Sequence, residues 1–394
     1  MIKSSEEFKL PENHIINSLA EMIGCNIEHM LFFDIETTGL SARSSNLYLI
    51  GTAYYQGQTW HVSQFFAESP EHEGELLASF SHLCKEFRHI ITFNGNRFDI
   101  PYMTEKYTRN GMDSPFDALQ SFDIYKQISP YKKLLGLSDC KQKTIELFLG
   151  INREDEYDGG KLIPVYQKYV EDKDPESLRL LLLHNTEDVK GMFTLLKMLE
   201  FQSFFNLFRN MPNTSVRTDE PINDSDFDIL LPVRARKVQA NYYKDFNGEQ
   251  KKEVYMKLSL SVPLPAPLSR NLDGCFFKAE GDEASLRVPM FEKELKYYYS
   301  NYKDYYYLPK EDMAIHKSIA SFVDKAFREK ATAENCYTKK EGQYLQEWDL
   351  VFTPFFKEDY KDKCFFFDLN ENVKKSRFAM SLYASHVIAH ILEV

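Results

Sequence analysis

The chain lacks any cysteine pair of the CxxC kind. Its six cysteines are scattered, and no group of them with histidine has the spacing of a four-ligand zinc site. That excludes a zinc finger or ribbon and leaves reduced, buried thiols, the usage expected of a cytoplasmic protein. No apolar run approaches about 18 residues, so no segment is expected to cross a bilayer and no membrane partner is expected. The first residues, MIKSSEEFKLPENH, are polar and acidic where a secretory leader would be basic and then apolar. Positive charge is also short: the net charge is −11. Residues 1–200 carry 20 Lys+Arg against 30 Asp+Glu, and residues 201–394 carry 28 against 29. An acidic first half argues against sequence-blind binding of duplex DNA, which needs many phosphate-neutralising lysines and arginines. It leaves room for a nucleic-acid enzyme whose metal ions supply the local positive charge. Internal repeats and low-complexity tracts are absent too.

What is present is ample core material. At 394 residues and 43% hydrophobic, the chain can fill two packed cores. The first half alternates strand-like and helix-like stretches. Residues 30–36 (MLFFDIE), 47–55 and 60–67 are rich in β-branched and aromatic residues and read as an antiparallel meander. A helix is expected at 74–88, a short apolar strand at 89–94, and further helices at 101–110, 141–149, 164–171 and 177–200. Strands first and helices after make a mixed α/β layer. Residues 209–226 (RNMPNTSVRTDEPINDSD) are dense in turn formers and read as a linker. Beyond it, strands are expected at 228–239, 254–262, 275–278, 284–290, 350–356 and 363–369, with helices at 311–331 and 374–393. That is a β-rich α+β unit.

Three short blocks gather chemistry-bearing side chains. Asp34 and Glu36, in LFFDIETTGL, lie two apart on a strand and so project from one face. In isolation the plain reading is two solvated carboxylates at a strand end, but Phe32, Phe33 and Ile35 mark a central strand where unpartnered acids are costly. The Thr37-Thr38-Gly39 turn follows and can bring backbone near a ligand. Asp99, in ITFNGNRFDIP, stands where a turn meets a helix, and singly it reads best as an N-cap, with Asn94 as a turn residue. His184 and Asp188, in LLLHNTEDVKGM, are one helical turn apart on one face of an apolar helix. Four acids gathered at neutral pH repel one another, so a fold that collects them needs divalent cations. Carboxylate oxygen suits magnesium or manganese, and a paired site suits phosphodiester chemistry.

In this order, DIETTGL, NGNRFD and HNTED resemble the three motifs of the DEDD (DnaQ-like) 3′–5′ exonucleases. The FNG-x-x-FD-IP and HN-x-x-D forms are most similar to bacterial YprB-type ribonuclease-H-like domains. The resemblance covers about residues 28–202. It implies an α/β ribonuclease-H-like domain over residues 1–208, a mixed sheet flanked by helices with its first three strands antiparallel and later ones parallel to the first. It also implies two Mg2+ or Mn2+ ions. Asp34 would bridge them, Glu36 and Asp188 would complete the tighter site, and Asp99 would serve the second ion. Thr37, Asn94 and Phe98 would contact the single-stranded 3′ end of DNA or RNA. His184 takes the place of the residue that orients or deprotonates the attacking water, and imidazole titrates in the right range for a base. Its spacing from Asp188 is that of the tyrosine-type members, so binding the phosphate or bonding Asp188 stay open as roles. A catalytically quiet nucleic-acid-binding module or complex subunit is the competing expectation.

For residues 227–394 no motif speaks. Tyr297, Tyr298, Tyr299, Tyr302, Tyr305, Tyr306 and Tyr307 interleave with Lys296, Lys303 and Lys310, a pattern that serves single strands or, more plainly, a half-buried sheet face. Arg234, Arg236 and Lys237 form a second basic cluster.

Overall fold

A computed structural model describes residues 1–10, 14–153, 159–244 and 247–394. The chain divides into two compact units, Met1–Gln202 and Ser203–Val394. The first is built on a six-stranded mixed sheet. Its strands are β1 (Ile2–Phe8), β2 (Met30–Thr37), β3 (Leu47–Gln56), β4 (Thr59–Phe66), β5 (His89–Thr92) and β6 (Gln120–Asp123), in the order β1-β4-β3-β2-β5-β6. The β2-β3-β4 meander is antiparallel, and β5 and β6 run parallel to β2, as expected for a ribonuclease-H-like sheet. β1 escaped the sequence reading. It is an edge strand whose IKSSEEF side chains are mostly exposed, so it shows no apolar alternation.

The helices of this unit are α1 (His14–Ile23), α2 (Glu73–Cys84), α3 (Asp99–Arg109), α4 (Ile124–Ile128), α5 (Lys132–Leu135), α6 (Gln142–Phe148), α7 (Gly159–Asp172) and α8 (Pro175–Leu195). Period-two alternation in β2 gives its two faces different company. Leu31, Phe33 and Ile35 enter a core with Leu77 and Phe80 of α2 and Met103 of α3. Phe32 stacks on Phe193 of α8 at 4.2 Å, so the face of Phe32, Asp34 and Glu36 is the one that α8 covers. α8 starts sharply: the Asp174 side chain accepts from the N–H groups of Glu176 and Ser177, and Pro175 sets the first turn.

The second unit corrects two expectations. Residues 209–226 are not a free linker. β7 (Val216–Arg217) pairs in parallel with Phe352–Thr353, and the carbonyl of Thr218 accepts from Asn370 and Asn372 at 2.9 and 3.0 Å. Polar, turn-rich composition marks irregular backbone, not freedom, when partners exist elsewhere. The helix expected at 311–331 is largely absent. Tyr305–Leu308 instead pairs with Met313–His316 in a hairpin, followed by the short Lys317–Ala320 helix. Asp312 turns that hairpin with φ +49° and accepts from the Tyr307 and Tyr337 hydroxyls and, at 2.6 Å, from Lys339. Tyrosines 299 and 305 stack at 4.5 Å and pack with Ala314, Ala331 and Cys336, so ring area of the Tyr–Lys stretch is spent inside the unit.

The unit's largest sheet joins β8 (Val233–Lys244), β9 (Gln250–Leu272) and β10 (Cys275–Pro289) in antiparallel order β10-β9-β8. The Arg377–Leu392 helix, apolar nearly all round, packs on one face of it. A second sheet joins Phe291–Tyr298, Tyr337–Glu347, Phe365–Asp368 and Phe355–Phe356. A ribonuclease-H-like domain is thus followed by a β-rich α+β unit, the expected fold class.

Candidate active site

The site forms where β2 outruns its neighbour. The last β2–β5 pair is Phe32↔Ile91, after which Asn94 takes φ +63° and the chain leaves the sheet. Asp123, at the end of β6, shapes that exit by accepting from the N–H groups of Asn94 (2.8 Å) and Asn96 (3.3 Å). α3 then begins, and Asp99 Oδ1 accepts from the N–H of Ile35 at 3.2 Å. The capping reading of Asp99 fails: it is the first residue of α3, not its cap, and its carboxylate reaches across to the Ile35 amide of β2. It is buried to 5% exposure.

α8 supplies the opposite wall. His184 Nε2 stands 3.3 Å from Asp188 Oδ2 and 3.5 Å from Glu36 Oε1. Ligand atoms of Glu36, His184 and Asp188 all lie within 4.8 Å of one another, close enough to share one cation. Asp34 is drawn to the same helix: its Oδ2 accepts from Asn185 Nδ2 at 3.1 Å, and Asn185 Oδ1 accepts from Gln64 at 3.0 Å. That approach needs Gly51, the β3 residue opposite Asp34, since a Cβ there would come within 1.9 Å of Asn185 Oδ1. Thus β2 and α8 bring Asp34, Glu36, His184 and Asp188 together, with Asp99 bound to the backbone between the two strand acids.

Electrostatics show the strain of this gathering. Burial, reinforced by the charges of Asp188, Asp99 and Glu36, holds the Asp34 carboxyl well above the usual carboxylate range, against the bond from Asn185. Burial also pushes Asp99 up to about 7, opposed by the Ile35 bond and helped by Asp123 and Asp188. Two carboxylates and an imidazole around one point, with the Asp34 and Asp99 carboxyls adjoining, form a donor set that fits a hard divalent cation.

Of the remaining expected residues, Thr37 is half-buried and its hydroxyl donates to the Gly39 carbonyl at 2.9 Å. Asn94 Oδ1 is buried and forms no hydrogen bond, and Phe98 packs on Tyr102 with ring centroids 5.5 Å apart. The residue that sequence reasoning missed is Arg153. Its guanidinium donates to both oxygens of Glu146, one of them at 2.6 Å, and through its remaining nitrogen to Asp188 Oδ1. Glu146 is 2% exposed, and Gln142 of the same helix donates to the Asp188 carbonyl at 2.8 Å. Gly191 admits this cluster, for a Cβ there would meet Glu146 Oε1 at 2.3 Å. No motif surrounds Arg153. The only sequence signal was an acid, Glu146, placed on an apolar helix.

A family model described as RNase_H superfamily matches residues 31–200. The uncharacterized protein YprB of Bacillus subtilis (strain 168) is 27% identical over 176 residues, 44% of this chain and 42% of that protein. The match therefore spans about two-fifths of that relative's length. Among solved structures, a family B DNA polymerase from the archaeon Pyrobaculum calidifontis is 18% identical, with a TM-score of 0.36, covering 45% of this chain and 25% of that one. A zinc-bound E. coli ExoI–ssDNA complex is 11% identical, with a TM-score of 0.31, covering 58% and 54%. Both structural likenesses are low. The family match lies over strands β2–β6 of the mixed sheet, so residues 31–200 are similar to the RNase_H superfamily in sequence and in the sheet they build.

Proposed function

We propose that this domain is a divalent-metal-dependent nuclease that removes nucleotides from the 3′ end of single-stranded DNA or RNA. The observation that carries the reading is the convergence of Glu36, His184 and Asp188 on one point from β2 and α8, with Asp34 and Asp99 beside them. The polarity comes from the likeness of the three motifs to the DEDD exonucleases, and the superfamily match supports the nuclease class.

In this reading Asp34, Glu36 and Asp188 would hold one Mg2+ or Mn2+, and Asp34 with Asp99 would hold a second. Bound there, the ions neutralise the scissile phosphate and make water a competent nucleophile. The protein's own part is positional. Asn185 fixes which oxygen of Asp34 faces α8, and Arg153 occupies Oδ1 of Asp188, leaving Oδ2 toward His184. His184 Nε2 accepts a proton from the attacking water as it approaches phosphorus. Asn94 and Phe98 flank the place where the terminal nucleotides lie.

Oligonucleotides labelled at the 5′ or the 3′ end, incubated with Mg2+ or Mn2+, test this. A 5′-labelled strand is expected to shorten in single steps, while a 3′ label is released at once as mononucleotide. Asp34→Asn should lower the rate by about three orders of magnitude or more, because Lewis-acid stabilisation is worth several kcal/mol. Circular strands cut as fast as linear ones would refute the exonuclease, and an Asp34→Asn protein at wild-type speed would refute the site.

A further inference from the structure

Within the second unit, the described residues put the Arg377–Leu392 helix on one face of the β10-β9-β8 sheet. Val233, Ala235, Met256, Leu258, Leu286 and Val288 are buried on the side where the Arg377–Leu392 helix packs. The reverse face is open and polar. A bulge between Ala235 and Lys237 inserts Arg236, so two successive basic residues, Arg236 and Lys237, are exposed on this outward side. Lys237 stands directly opposite Lys257 of β9. Like charges facing each other across an antiparallel pair cost stability, so this arrangement is not explained by folding. Among the described residues no carboxylate forms an ion pair with Arg236, Lys237 or Lys257; Arg236 Nε donates to Ser259 Oγ at 3.0 Å. In the adjoining row Tyr255 lies between Gln239 and Arg287, with the Arg287 guanidinium 6.0 Å from the centre of its ring.

Acids share this face: Glu253 stands two residues before Tyr255 on the central strand, and Glu283 of β10 lies opposite Ser259. Glu253 is 7% exposed, accepts from Asn241 at 2.6 Å and lies 4.0 Å from Arg287. A shallow groove of about 540 Å³ is lined by Arg236, Tyr255 and Lys257 and, from β10, by Lys278, Glu280, Asp282 and Glu283. A strand face with cations in rows and a partly exposed aromatic ring suits unpaired bases, which stack on the ring while their phosphates follow the cations. A duplex keeps its bases inside and has no use for Tyr255.

We propose that the outward face of β8–β10 binds single-stranded nucleic acid, with Arg236, Lys237 and Lys257 on phosphates and Tyr255 under a base. This extends the nuclease reading to the second unit but does not share its evidence, and it is measured without divalent metal, where hydrolysis cannot occur. The probe is a fluorescein-labelled oligothymidylate of about 16 nucleotides, titrated with the full chain in EDTA and followed by anisotropy. Lys237→Gln/Lys257→Gln removes the opposed cations and should leave the fold intact by circular dichroism. Its affinity is expected to fall about tenfold, and its slope of log affinity against log salt to become shallower by about 1.4, at about 0.7 per lost phosphate contact. Tyr255→Leu should weaken binding severalfold without changing that slope. Unchanged affinity and slope in the double variant overturn the proposal. So does a wild-type chain that binds no oligothymidylate, or that prefers duplex of equal length. Single-step hydrolysis with Mg2+ in a chain whose double variant binds normally would leave the nuclease standing and this surface refuted.

Discussion

Arg153 spans Glu146 and Asp188 with a single guanidinium, so one of the site's acids is compensated before any metal arrives. Partners that fix a ligand's orientation typically govern metal affinity by about 10–100-fold. Arg153→Gln is therefore expected to weaken Mn2+ binding by that factor in calorimetric titration, and Arg153→Lys to restore only part of it, lacking the fork. Equal Mn2+ affinity in Arg153→Gln would reduce the residue to packing. Asp99 carries a pH signature. Its proton is held to about 7 in the folded chain by burial, whereas an unfolded chain releases it near ~3.9. Between those values the folded state binds more protons than the unfolded one, so stability from this group is lost as pH rises through that window. The melting temperature of metal-free protein should fall across that range, and Asp99→Asn should flatten part of the fall. A variant whose profile parallels the wild type throughout would remove Asp99 from the account.

At the scale of elements, the site depends on how closely α8 can approach β2 and β3. Gly51 sets that distance, and a methyl group there collides with Asn185, the residue that anchors Asp34. Gly51→Ala is expected to cost about 1–3 kcal/mol in urea denaturation, the range for overpacking, and to weaken Mn2+ binding with it. Alanine tolerated without loss of stability would mean that α8 adjusts freely. Helix α8 also shows how one element serves two purposes. Phe193 packs on Phe32 while His184 and Asp188, further back, face the acids of the same strand. The packing end fixes the working end.

Across the whole molecule, two units carry two kinds of surface. The acid-rich site lies in residues 1–202 and the basic sheet face in residues 203–394. Hydrogen exchange should separate them. Added Mn2+ is expected to slow exchange in peptides covering 30–37 and 184–188 and to leave 233–289 unchanged, since a ligand stabilises the segments it binds. Oligothymidylate in EDTA should do the reverse. Protection of 233–289 by Mn2+ alone would contradict this division.

Sequence by itself determined the alternation that makes β2 a central strand with Asp34 and Glu36 on one face, and the helical spacing that aligns His184 with Asp188. Those are local periodicities, readable because backbone geometry alone imposes them. It also determined the order of the three motifs. Only the tertiary structure decided that Asp99 bonds the Ile35 amide instead of capping its helix, and that Arg153 reaches Asp188 from a segment with no pattern of its own. It likewise decided that residues 313–316 pair as a strand where a helix was expected, and that 216–217 join a sheet where a linker was expected. Apart from the 313–316 strand, whose hairpin partner is its neighbour in the chain, those outcomes rest on partners many residues away, and a pairing between distant segments leaves no trace in the periodicity of either one.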